Sequence, residues 1–191
     1  MRRVIGLTGR KGCGKSSVGA ILAHNYDFHV RSFASPIKEM LVAMGIPKNY
    51  IYDRDYKEKP VPGFGKSARY MMQALGTEFG RHLVHPDVWI RALKNKLDDL
   101  TGDVVIDDVR FENEARMIHA YGGMILRIER PHTEDRDTHI SELQLDSSHV
   151  DQTLQNISPY TTDLELAVTE FMETKYNGTF HTAEPVGIVS Q

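Results

Sequence analysis

"VIGLTGRKGCGKSS", residues 4–17, sets an apolar run against a glycine-rich loop and then the start of a helix. Gly9 is followed by four residues and then by Gly14, Lys15 and Ser16, the spacing of a phosphate-binding loop. Glycines at 9, 12 and 14 let the backbone take positive φ and turn its N–H groups inward around an anion. A helix beginning near Lys15 points its positive N-terminal end at the same place. In such a loop Lys15 reaches the β- and γ-phosphates of ATP, and a hydroxyl at Ser16 meets the bridging Mg²⁺. The ATP-binding set is therefore Gly9, Arg10, Lys11, Gly12, Cys13, Gly14, Lys15, Ser16 and Ser17. Cys13, between two lysines and among inward amides, is expected to be a reactive thiol.

Working outward, apolar strand-like runs alternate with amphipathic helical ones, the pattern of an α/β fold with a parallel sheet flanked by helices. Strands are expected at Val4–Thr8, 28–33, 104–106, 124–128 and 153–157. Helices are expected after the loop, from Pro36 to Met44, over 66–83, after Pro86, over 114–121 and over 162–176. Residues 47–65 carry Pro47, Pro60, Pro62, Gly63 and Gly65 among charges, and read as a loop or mobile insert. Residues 131–150 are polar and lack a hydrophobic period, and 177–191 read as a flexible tail.

With 191 residues and 40% hydrophobic content, the chain is long enough for one domain, taken as residues 1–176. A net charge of −3 gives no reason to expect a nucleic-acid partner. No apolar run approaches the length of a membrane span, and one cysteine excludes an internal disulfide, so a cytoplasmic protein is expected.

Ligands of a parallel α/β sheet gather at the carboxyl ends of the strands. Lys38, Arg69, Arg110, Arg130 and Arg136 fall in segments expected there, as moving a phosphoryl group between two anions requires. On the 66–83 helix, Arg69, Gln73, Gly76 and Gly80 form one stripe, read as a surface that something approaches closely. The opposite side, Ala68, Met71, Met72, Leu75, Phe79 and Leu83, reads as its buried face. Asp107 and Asp108 end the third strand, where a carboxylate can hold Mg²⁺ through water or orient an acceptor, and Asp108 is preferred. Arg110 and Glu114, four apart, either share a pocket mouth or pair within the helix. His82 and His85 lack further ligands at metal spacing. "NKLD" at 95–98 spells a guanine-reading motif but falls mid-helix, which argues against a regulatory GTPase.

The phosphate loop together with "SPIKE" (35–39), "RYMMQALGTEFG" (69–80), Trp89, "DVRFENEA" (108–115), "RIERP" (127–131) and "DTHISE" (137–142) resembles the bacteriophage deoxynucleoside monophosphate kinases, in the P-loop NTPase/nucleoside monophosphate kinase-like group. The resemblance implies transfer of the ATP γ-phosphate to a dNMP, giving dNDP. It implies an acceptor site of Ile37, Lys38, Arg69, Gln73, Gly76, Thr77, Trp89, Asp108, Arg110 and Glu114. It also implies a lid at about 131–150 that brings Arg130 and Arg136 to the transferring phosphate, with Lys15, Arg110 and Asp108 as the other catalytic residues. Ser16 and Asp108 are the expected Mg²⁺ positions, although relatives often place Asp-Thr where this chain has Ser16-Ser17. A homodimer is a further implication. A kinase for another small phosphorylated acceptor, of the phosphomevalonate or dephospho-CoA type, remains the alternative.

Overall fold

The computed structural model describes residues 2–131 and 145–176. The expected tail, Arg136 and most of the expected lid lie outside these. Five strands form one sheet: β1 (Val4–Thr8), β2 (His29–Arg31), β3 (Val104–Ile106), β4 (Met124–Glu129) and β5 (Gln152–Gln155), in the order β2-β3-β1-β4-β5. Every neighbouring pair is parallel. β1 is wholly buried at the centre, so the loop that follows it emerges in the middle of the sheet's carboxyl edge.

Alternation along the strands divides the core between two faces, because successive side chains point to opposite sides. Ile5, Leu7, Val105, Leu126 and Ile128 pack with α1 (Lys15–Tyr26) and α7 (Thr161–Glu170), which runs on in wider turns through Phe171–Tyr176. Val4, Val104, Ile106 and Ile125 face the other way, toward α2 (Ser35–Ala43), α5 (Val88–Asp98) and α6 (Glu112–Ala120). Pro36 sits in the first turn of α2, where its missing N–H costs nothing.

Two expectations need correction. The 47–65 segment is more than a loop. It contains α3 (Lys48–Tyr52), pairs Pro60 with Ser67, and buries Ile51 and Val61 with Ile46, Leu41, Ala68 and Met71 in a small core of its own. The 66–83 helix is α-helical only as α4 (Ala68–Gln73) and continues as a π-helix over Ala74–Val84. Its i→i+5 turns hold more residues than the 3.6 of an α-helix, so the face inferred from 3.6-residue spacing rotates out of register. Phe79 and Leu83, expected to be buried, are 44% and 78% exposed, while Gly76, Thr77 and Gly80 are buried.

Candidate active site

The phosphate loop has the expected backbone: Gly9, Gly12 and Gly14 have φ of 133°, 80° and 111°. Gly14 is the N-cap of α1 in the left-handed region, and a Cβ on Gly9 would stand 2.3 Å from the Ile128 carbonyl oxygen. Asn156, just past β5, anchors the loop from the side. Its buried Nδ2 donates to the Cys13 carbonyl at 2.8 Å, and its own N–H donates to Glu129 O at 2.7 Å. An isolated asparagine offers no spacing signal, and sequence reasoning did not select it. The Lys15 ammonium donates to the carbonyls of Gly9 (2.6 Å) and Arg10 (2.9 Å). The Cys13 side chain lies in the core at 1% exposure, so the reactive thiol expected there is corrected; its carbonyl receives Asn156 and its Sγ lies 3.8 Å from the Lys15 ammonium.

Beside the loop opens a cavity of about 230 Å³. It is lined by Lys15 and Ser16 together with the whole expected acceptor set, Ile37, Lys38, Arg69, Gln73, Gly76, Thr77, Trp89, Asp108, Arg110 and Glu114. Ser16 is on this wall and Ser17 is not. Arg10, Lys11 and Gly12 are exposed on the loop outside the cavity lining. Arg130 follows β4 and donates to the Ser158 carbonyl at 3.1 Å, also outside the lining.

The stripe on α4 and its continuation divides between ligand space and packing. Arg69, Gln73 and Gly76 face the cavity. At Gly80 the close neighbour is Trp89, whose ring would stand 2.3 Å from a Cβ there. The indole Nε1 donates to Gly76 O at 2.7 Å. Trp89 thus packs and hydrogen-bonds against the π-helical turn that carries Thr77.

The two aspartates at the end of β3 have different work. Asp108 accepts from Ser32 Oγ (2.7 Å), Phe33 N (2.8 Å) and Ala34 N (2.9 Å), so its carboxylate ties down the turn that launches α2 with Ile37 and Lys38. Asp107 has no such partners among the described residues. Burial, and then the neighbouring Asp108, push its carboxyl up to about 6, against the pull of Lys38 and Lys15. The preference for Asp108 over Asp107 as the metal position is therefore not what the hydrogen bonds favour. Adjacent carboxylates look alike in a sequence, and only the donors around them separate the roles.

Glu114 shares the cavity with Arg110, the first of the two forms expected for it. It is 2% exposed, accepts from the backbone N–H of Arg110 (2.7 Å) and Phe111 (3.1 Å), and pairs with Arg81. Burial pushes its carboxyl up to about 7, while Arg81 pulls it down. Arg81 also lies over the Phe111 ring at 3.8 Å. This cluster fixes the backbone that carries Arg110. Arg81, Lys57, Ser32, Phe33, Met72 and Phe111 line the cavity without having been selected from sequence. Arg81 is 33 residues from Glu114, beyond the reach of a local pattern.

Mg²⁺ prefers hard oxygen ligands and keeps waters beside one or two carboxylates and substrate phosphates. The Ser16 hydroxyl and the Asp107 carboxylate on one wall fit that demand. No group of three or more His, Cys, Asp or Glu residues that could hold a metal occurs among the described residues, so this is no all-protein cage.

A parallel sheet with the phosphate loop on its central strand, and cations across one cavity from that loop, define a P-loop phosphotransferase. The fold is shared with TT1252 from Thermus thermophilus (TM-score 0.53, 18% identity, 94% of this chain and 99% of that one). It is shared also with shikimate kinase from Aquifex aeolicus (TM-score 0.50, 13% identity, 92% and 99%). The family model for deoxynucleotide monophosphate kinase matches residues 64–162. A protein of Acanthamoeba polyphaga mimivirus described as "Putative deoxynucleotide monophosphate kinase" is 33% identical over 161 residues, 75% of this chain and 82% of its own. The deoxynucleoside-5′-monophosphate kinase of Escherichia phage T5 is 45% identical over 53 residues, 27% of this chain and 21% of its own. The chain belongs to the deoxynucleotide monophosphate kinase family. Among the described residues, no helix is long and apolar enough to cross a membrane.

Proposed function

We propose that the chain transfers the γ-phosphate of ATP to a deoxynucleoside monophosphate in the cytoplasm, giving dNDP and ADP. The observation that carries this reading is that one cavity joins Lys15 and Ser16 of the phosphate loop to Lys38, Arg69 and Arg110. Two anionic nucleotides repel, and cations fixed on both sides lower the cost of bringing their phosphates together. An oxygen of the acceptor phosphate forms a bond to the γ-phosphorus, while the bond from that phosphorus to the β–γ bridging oxygen breaks and its electrons leave with ADP. A phosphate monoester is largely dianionic at pH 7, its second pKa being about 6, so the attack needs no general base. Ser16 and Asp107 would hold Mg²⁺, which when bound would neutralise charge on the donor phosphates.

Lys15 neutralises the donor, Arg69 and Arg110 hold the acceptor phosphate, and Lys38 serves the same end from α2. Asp108 acts as a positioning residue for Lys38. Trp89 and Thr77 shape the wall along which the acceptor's base and sugar lie. The test is ADP release with MgATP and each of dGMP, dTMP, dAMP and dCMP, repeated with Arg69→Ala and Arg110→Ala. Transfer to at least one acceptor is expected, with each variant raising the acceptor KM by about tenfold or more, the scale of a lost charge-assisted contact. Silence with all four acceptors, or normal acceptor KM in both variants, overturns the reading.

A further inference from the structure

Lys57 belongs to the 47–65 segment, outside the part of the chain that the family model matches, and yet it lines the cavity with Lys15 and Ser16. Its placement is built. Its N–H donates to Asp53 O at 3.1 Å, its carbonyl accepts from Arg69 N–H at 3.1 Å, and the segment rests on its own core of Ile46, Ile51 and Val61. The next residue, Glu58, pairs with Lys11 of the phosphate loop at 2.7 Å. Residues 57 and 58 therefore stand between the donor loop and the arginine assigned to the acceptor.

Neighbouring lysines show what an ordinary surface position looks like here. Lys59 lies over the Tyr56 ring at 4.2 Å and Lys66 over Tyr70 at 4.9 Å, both using aromatic faces. Lys57 instead turns toward other cations. Its pKa is lowered, first by burial and then by Lys38, Arg69, Lys11 and Arg110. Crowding of like charges is unfavourable in the protein alone and becomes favourable when a polyanion arrives among them.

We propose that Lys57 is a substrate-contacting residue, whose ammonium meets the phosphoryl group in transfer between the donor on the phosphate loop and the acceptor phosphate at Arg69 and Arg110. This assignment rests on the kinase reading above. It makes the 47–65 segment a third wall of the catalytic site.

The experiment compares Lys57→Met and Lys57→Arg with the wild type in steady-state phosphoryl transfer, with MgATP affinity and thermal midpoint measured alongside. Lys57→Met is expected to lower kcat by about 100-fold, the scale for one lost donor to transition-state charge, with Lys57→Arg recovering part of the loss. A fall of more than about tenfold at an unchanged midpoint supports the assignment, and a smaller fall overturns it. Should Lys57→Met fail to fold, Lys57→Gln takes its place with the same limit. Should the wild type phosphorylate none of the four acceptors, the kinase reading fails, and Lys57 is judged by affinity for inorganic tripolyphosphate. A loss of about tenfold or more in Lys57→Met keeps it as a phosphate contact, and an unchanged affinity removes it.

Discussion

Asp107→Asn should make this protein more stable and inactive at once. Burial and the Asp108 charge raise the Asp107 carboxyl from 3.8 to about 6. A raised carboxyl means that the folded state holds its proton more tightly than the unfolded chain does. Stability from this group is thus fully present below the unfolded value near 3.8 and is lost as pH rises toward 6. A shift of about two pKa units corresponds to about 3 kcal/mol of strain in the ionised wild type at pH 8. Asparagine has nearly the same shape and no charge, so it removes that strain. The gain should be about 3 kcal/mol at pH 8 and about 1 kcal/mol at pH 4.5, where the folded wild type already holds its proton and only the cost of taking it up slightly above the unfolded pKa remains. For a chain of this size that is a rise in Tm of about 6–12 °C at the higher pH.

Urea unfolding of both proteins at the two pH values measures the difference directly, and MgATP turnover with the accepted dNMP measures the cost. Asp108→Asn provides the opposite sign. It leaves the Ser32, Phe33 and Ala34 donors facing an amide where a carboxylate stood, and should destabilise by about 2–3 kcal/mol. An Asp107→Asn protein no more stable than wild type at pH 8, or equally stabilised at both pH values, refutes the division of roles between the two aspartates.

Gly80→Ala should destabilise by about 1–3 kcal/mol, because its methyl must displace the Trp89 ring, and the emission of this sole tryptophan should shift as the indole loses Gly76. Unchanged emission and stability would mean that the π-helical turn does not pack against Trp89. Arg81→Met should cost about 3–5 kcal/mol by leaving Glu114 buried and uncompensated, with much of the loss regained in the Arg81→Met/Glu114→Gln double variant. A simple addition of the two single effects in urea unfolding would refute the pairing. Cys13 should resist a thiol reagent in the native protein and react on unfolding, since its side chain is buried. Complete labelling of folded enzyme would contradict that burial.

The elements legible from sequence are those whose cause is local. Gly9, Gly14 and Lys15 mark their loop because positive φ and close approach admit few residues, and β1, β3 and β4 show themselves as short apolar runs. Lys38, Arg69 and Arg110 could be gathered because their segments were expected at the carboxyl ends of the strands, whereas Ile37, Thr77 and Trp89 came only with the family resemblance. What stayed hidden depends on contacts distant in the chain. Trp89, on the following helix, meets Gly76 and Gly80 of the π-helix, and nothing in the spacing of 74–84 announces that geometry. Ile46, Ile51 and Val61 follow neither a helical nor a strand period, so the small core beneath the 47–65 segment could not be inferred from prolines and glycines. Glu114 and Arg110 are four apart and invite a local reading, yet the partner that decides Glu114 comes from the far end of the π-helix.

The charges on the cavity wall explain why both hidden features matter. Six cationic residues line it against three carboxylates. Two of those carboxylates are held by the protein itself, Asp108 by the start of α2 and Glu114 by Arg81 and the turn at Arg110. Their negative charge is used to hold the frame, and Asp107 remains as the carboxylate left to face ligands. The wall therefore carries an excess of positive charge before any nucleotide binds, and burial together with Lys38, Arg69, Lys11 and Arg110 lowers the pKa of Lys57. Such a site suits MgATP together with a monophosphate dianion, which bring about four net negative charges. It suits MgATP and a neutral acceptor less well, because the cations around the second position would keep their mutual repulsion. Preference for a phosphorylated acceptor is thus built into the way the protein spends its own carboxylates, independently of which base the neighbouring wall accepts.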